Sequence, residues 1–187
     1  ISHRSSPYTE GPERYKKGTS LTTHVAVHDL DMIHWFINES PTTIYATGSN
    51  NYLSDKNMMD AITALLSFES GSFASVNYSW VLPKKSPTKL DARMEVVGTK
   101  GSAYIGVPHQ QGVLLAKEDG ISTPDLHHNP TVKGKVVGDL REEIMTFVDS
   151  VLRGKQPPVT AEEALVSVEQ ANAIIKSLDS GELVNLN

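Results

Sequence analysis

The sequence predicts an α+β fold in two layers, a predominantly antiparallel open sheet with helices packed on one face. Three observations carry this. Between Thr42 and Lys117 apolar residues recur with a period of two, the signature of half-buried strands. The connections inside that stretch are short, which joins neighbouring strands antiparallel, because parallel neighbours need long crossovers. From Asp139 onward the apolar period becomes helical, which supplies the second layer. With 187 residues, 39% hydrophobic and 21% charged, the chain is long enough to bury a core and reads as one domain over residues 1–187.

Taken in order, residues 1–23 hold Pro7, Gly11, Pro12 and Gly18 among charged and hydroxyl residues and read as a long ordered arm. Asp29 reads as the cap of a short helix reaching about Ile37, with Leu30, Ile33, Phe36 and Ile37 apolar and Pro41 barring continuation. His28 then stands at or just before a helix N-terminus, where the macrodipole favours a neutral imidazole. Strands are expected over residues 43–48, 61–69 and 73–82, the last two joined by Ser70-Gly71. Ala74, Val76, Tyr78, Trp80 and Leu82 share one face of the third. A strand over 90–97 turns at Gly98-Thr99-Lys100-Gly101 into 103–105, and residues 113–116 add a further candidate. Residues 106–138, rich in Pro, Gly and His, read as a variable loop region.

Asp139 with Glu142 three residues on resembles a capping box; Ile144, Phe147, Val148 and Val151 follow, and Gly154 closes the helix. Thr160 and Glu163 repeat the device after Pro157-Pro158, ahead of a stripe of Ala164, Leu165, Val168, Ala171, Ile175 and Leu178 that ends before Gly181. These two helices are expected to cover one face of the sheet. The other face, expected to carry Ala, Val, Tyr and Trp positions, would need a second copy to keep it dry, so a homo-oligomer is expected.

Several function classes fall away. A net charge of -5 and a pI near 5.8 oppose a nucleic-acid or anionic-membrane surface, which needs clustered Lys and Arg. The absence of cysteine removes disulfides, thiolate metal sites and a cysteine nucleophile, and fits a reducing, cytoplasmic setting. No apolar run approaches the roughly 18 residues of a membrane span. No Gly-x-Gly-x-x-Gly occurs, so the sequence itself offers no dinucleotide fingerprint. The chain opens on Ile1 and polar, turn-rich residues, which reads as part of a longer protein.

The chemistry concentrates in residues 22–35, Thr-Thr-His-Val-Ala-Val-His-Asp-Leu-Asp-Met-Ile-His-Trp. His24 and His28 share a face in either a helix or a strand, and histidine titrates near neutrality, which suits a general acid or base. A zinc reading has suitable ligand types in Asp29, Asp31 and His34 but lacks the glutamate of a His-Glu-x-x-His site, so no metal is assigned. A satisfied pair at a packed helix start is the plain structural alternative. His127-His128 reads as a solvated loop pair, and Gly98-Thr99-Lys100-Gly101 as a hairpin turn rather than a phosphate loop. Arg4 and Arg14 in the arm could grip an anionic or hydroxylated ligand.

The order of these pieces resembles the C-terminal domain of the Gfo/Idh/MocA oxidoreductases, the glucose-fructose oxidoreductase and inositol dehydrogenase group. Val27-His28-Asp29-Leu30-Asp31 opens a helix ending in Trp35-Phe36. Asp60 starts a strand ending Phe68-Glu69-Ser70-Gly71, and Trp80 lies in the next. Val97 to Ser102 makes the later turn, and Phe147, Gly154 and Pro157 lead to Thr160-Ala161-Glu162-Glu163. The resemblance implies an NAD- or NADP-dependent sugar or polyol dehydrogenase whose cofactor sits mainly on an N-terminal Rossmann domain absent from this chain. This chain would shape the substrate pocket and the oligomer interface, and alone would not transfer hydride. By the same resemblance His28 is the acid/base, with His24 as its neighbour in the pocket; Arg14 of the arm and Trp80, which with Tyr78 and Trp35 reads most simply as a core or interface aromatic, are further candidate substrate contacts. The family commonly has an aspartate or asparagine four residues before that histidine, and here His24 stands there. That departure supports the alternative of a binding or assembly module that kept the fold and lost the chemistry.

Overall fold

A computed structural model describes residues 1–6, 20–83, 85–86, 90–106, 115–118, 120–122 and 130–186. A seven-stranded mixed sheet forms one layer, in the spatial order of residues 184–185, 43–49, 61–67, 73–79, 2–5, 91–98 and 101–105. Its strands are β1 (Ser2–Ser5), β2 (Thr43–Ser49), β3 (Ala61–Ser67), β4 (Phe73–Ser79), β5 (Asp91–Gly98), β6 (Gly101–Ile105) and β11 (Val184–Asn185). Helix α1 (Val27–Ile37) and helix α3 (Ala161–Ser180) lie in the other layer; α2 (Asp139–Leu152) precedes α3. Two small antiparallel hairpins, β7 (Leu115–Lys117) with β8 (Gly120–Ser122) and β9 (Thr131–Val132) with β10 (Lys135–Val136), lie in the stretch read as variable loop, where β7 overlaps the strand expected over 113–116 and the other three are unexpected.

The core forms where the period-two residues meet the helices. Ile44, Ala46, Ile62, Ala64, Leu66, Ala74, Val76 and Tyr78 point from the sheet toward Leu21, Val25, Ala26, Leu30 and Ile33 on one side and Ala171 and Ile174 on the other, all buried. Ser177 is fully buried in this apolar layer and satisfied. Its hydroxyl donates to the Glu182 carbonyl at 2.6 Å and accepts from the Ala46 N–H at 2.9 Å, tying the end of α3 to β2.

The antiparallel expectation holds for most of the sheet and fails at one point. The first residues are not arm but strand: β1 enters between β4 and β5, parallel to β4 and antiparallel to β5. The sequence hides it because Ser2-His3-Arg4-Ser5 has no apolar alternation, and its pairing is entirely with distant residues. Residues 7–19 of the expected arm lie outside the described residues, as does His127-His128.

Three further expectations are corrected. The face carrying Ala74, Val76, Tyr78 and Trp80 is the helix-covered one, so the open face is built instead from Tyr45, Leu65, Phe73, Val97 and Tyr104 among hydroxyl and charged residues. The second layer is made by α1 and α3, whereas Leu140, Ile144, Phe147, Val151 and Leu152 of α2 are all exposed. An amphipathic period shows that a helix has a face to bury, not where it buries it. In α3 the buried positions are Ser167, Gln170, Ala171, Ala173, Ile174 and Ser177, while Leu165 and Val168 of the expected stripe are exposed.

Of the two capping boxes, that of Thr160 and Glu163 is present. The Thr160 hydroxyl accepts from the Glu163 N–H at 3.1 Å and the Glu163 carboxylate accepts from the Thr160 N–H at 2.8 Å. At α2 the cap position is Gly138 and Asp139 is already the first helical residue, so that box does not form.

Candidate functional site

The helix that carries the histidine pair starts earlier than its apolar pattern suggests. Leu21 begins a continuous helical run to Ile37, and Thr22–Ala26 within it is a π-helical turn. Ser20 and Thr23 close its start reciprocally. The Ser20 hydroxyl accepts from the Thr23 N–H at 3.1 Å, and the Thr23 hydroxyl accepts from the Ser20 N–H at 3.1 Å. Asp29 is therefore not the cap, and His28 lies beyond the first turn, where the macrodipole has largely faded.

Asp29 is instead buried, 2% exposed, and accepts a bidentate guanidinium from Arg4. Arg4 Nη2 lies 2.7 Å from Oδ1, and Nε lies 3.1 Å from Oδ2. The expectation that Arg4 grips a ligand is corrected by this pair: its charge is engaged inside the fold. Neither half was legible as such, because a pairing between residues 4 and 29 exists only once β1 lies in the sheet beneath α1.

His24 and His28 themselves are exposed, on the same helical run, with Ala26 between them fully buried. The His28 pKa lies below the ordinary histidine value. Partial burial of the ring is the main cause; the Arg4 charge pushes the same way, Asp29 opposes it, His24 lowers it further and Asp31 raises it. The imidazole is thus neutral at neutral pH, by a route other than the helix dipole, and can accept a proton. At the far end of the helix His34 Nδ1 meets the Glu39 carbonyl at 3.0 Å, and the rings of Trp35 and Phe36 are exposed with centroids 5.0 Å apart.

The other candidates part from the pair. Trp80 is 6% exposed, in the core rather than at a solvent-facing site, and its backbone N–H donates to the Asp60 carbonyl at 2.9 Å. Arg14 lies outside the described residues. Among the described residues no three His, Asp or Glu side chains gather as a metal-binding group. No described helix is long and apolar enough to cross a membrane.

The site thus presents an exposed imidazole on a helix anchored to the sheet through Arg4 and Asp29. The chain belongs to the Gfo/Idh/MocA oxidoreductases: the family described as "Oxidoreductase family, C-terminal alpha/beta domain" matches residues 8–186. Among its relatives, scyllo-inositol 2-dehydrogenase (NAD(+)) of Bacillus subtilis is 27% identical over 94% of this chain and 50% of its own length. Myo-inositol 2-dehydrogenase of Thermotoga maritima is 24% identical over 87% of this chain and 48% of its own. The chain therefore spans about half the length of these relatives. The fold is shared with myo-inositol 2-dehydrogenase from Lactobacillus plantarum, at a TM-score of 0.74 and 21% identity over 100% of this chain and 56% of that one. It is shared too with scyllo-inositol dehydrogenase from Lactobacillus casei bound to NAD(H) and scyllo-inositol, at a TM-score of 0.68 and 20% identity over 98% and 55%.

Proposed function

We propose that this chain is the substrate-side domain of a nicotinamide-dependent dehydrogenase that oxidises a secondary hydroxyl of a sugar or polyol, with inositols as the first substrates to try. The observation that carries the reading is His28: exposed, held neutral, and standing on a helix fixed to the sheet. The names of the relatives supply the substrate class.

The nicotinamide, when bound, supplies the acceptor for the hydride leaving the carbinol carbon. No glycine-rich strand-to-helix fingerprint for a dinucleotide occurs in this sequence, and on this reading the cofactor would be held mainly by a Rossmann domain outside these 187 residues. What these residues do is handle the proton. His28 hydrogen-bonds the substrate hydroxyl and takes its proton at a ring nitrogen as the carbonyl forms. His24, exposed beside it in the π-helical turn, is a second group able to bind the hydroxylated substrate or pass the proton onward.

The experiment is a kinetic screen of the full-length protein with NAD and NADP against inositols, other polyols and sugars, with His28→Ala in parallel. Turnover that falls by roughly 100-fold or more in the variant supports the reading. Turnover unchanged by the variant defeats the acid/base role of His28, and cofactor binding without turnover on any substrate favours the module that kept the fold and lost this chemistry.

We also propose that the open sheet face is a homo-oligomer interface. Tyr45 and Leu65 are register partners and Phe73 lies on the neighbouring strand; they are 44%, 47% and 74% exposed, an apolar patch that a second copy would cover.

A further inference from the structure

Arg4 is the one charged residue of β1 that reaches the helix layer. It is registered with Tyr78 on β4 and with Ala92 on β5, so its backbone is fixed from both sides. Its guanidinium is only partly exposed, and it meets a carboxylate that is almost wholly buried. A buried carboxylate without its partner is strongly unfavourable, so the fork and Asp29 define each other's position.

Resting on the acid/base reading of His28, we infer that Arg4 is a positioning residue for that imidazole, acting through Asp29 to fix the helix that carries it against β1. The residues flanking His28 are held on both sides. Asp29 is clamped by the fork, and Ala26, fully buried, lies two residues before it over the sheet, its carbonyl 3.5 Å from the Tyr78 hydroxyl. A helix held one residue after and two residues before the imidazole has little freedom to roll about its axis or slide along it. The pair also sets the charge seen by the ring. Asp29 and Asp31 favour the imidazolium, whereas Arg4 and His24 disfavour it, and burial of the ring adds to the latter. Removing Arg4 leaves the adjacent carboxylate unopposed; neutralising Asp29 leaves the guanidinium unopposed. The two losses must therefore shift His28 in opposite directions. Lysine would keep the charge but not the fork.

The test follows the His28 titration by NMR in the full-length protein, with the resonance assigned through its loss in His28→Ala. Arg4→Met is expected to raise the His28 pKa and Asp29→Asn to lower it. The acid limb of kcat/KM for inositol oxidation with NAD should move the same way in each. In Arg4→Lys the titration should stay near that of the wild type while kcat falls roughly tenfold or more and KM changes less, because the charge remains and the geometry is lost. Should Arg4→Met fail to fold, Asp29→Asn and Arg4→Lys still decide the matter. Shifts of one sign in both charge variants, or titrations that superimpose on the wild type, overturn the inference. So does full turnover in Arg4→Lys. Retained turnover in His28→Ala would instead defeat the acid/base reading of His28, while the titration shifts would still report whether Arg4 governs the ring.

Discussion

At the scale of single residues, the arrangement around His28 links function to stability. Its folded pKa is below the ordinary histidine value, so as pH falls the unfolded chain takes up the proton first. The contribution of His28 to stability is thus fully present above about pH 6.5 and declines as pH drops toward the folded pKa. Urea midpoints measured from about pH 7.5 to about pH 5 should fall, and His28→Ala should flatten that part of the curve. Asp29→Ala removes the partner of a buried charge pair and is expected to cost roughly 3 kcal/mol by urea denaturation. The histidine pair was legible from spacing alone, because i and i+4 share a face in a helix. The role of Asp29 was not. A carboxylate early in a helix reads as a cap until a cation brought from a distant strand claims it.

At the scale of elements, local chemistry fixed the turns and caps. The hairpin at Ser70-Gly71 and the turn at Gly98–Gly101 fall where the sequence puts them, with Gly71 at φ 83°. Thr160→Ala should cost about 1 kcal/mol in thermal or urea unfolding, because both arms of its capping box are made. The loop between β2 and β3 is governed by one carboxylate. Asp60 accepts from the Ser49 hydroxyl at 2.8 Å, from the Tyr52 N–H, and from the Leu53 N–H at 3.3 Å, and these bonds hold its pKa below the usual aspartate value despite burial. Asp60→Ala is expected to destabilise by roughly 2 kcal/mol or more and to speed hydrogen exchange at Tyr52 and Leu53. Gly48 allows β2 to approach β3, since a Cβ there would lie 2.7 Å from the Ala61 carbonyl oxygen. What remained unreadable at this scale was the π-helical turn and β1. The first has no composition signature, and the second is four polar residues whose pairing partners lie about 70 to 90 positions away.

At the scale of the whole molecule, two apolar surfaces are left over among the described residues. The open sheet face carries Tyr45, Leu65 and Phe73, and α2 presents Ile144, Phe147 and Val151. Multi-angle light scattering of the full-length protein at micromolar concentration is expected to give a homo-oligomer. Leu65→Glu with Phe73→Glu should shift it to a smaller species with an unchanged circular dichroism spectrum; a wild-type monomer would defeat the proposed interface. The sequence by itself determined the two-layer α+β class, most strands, the Thr160 cap, the family and the histidine pair. Each of these is written in short-range periodicity, turn chemistry or motif order. Only the tertiary structure decided that β1 divides the meander, that α1 and α3 rather than α2 form the second layer, and that Arg4 is spent on Asp29 beside His28. Those outcomes depend on which surfaces and charges distant segments bring together, and no local pattern encodes a partner.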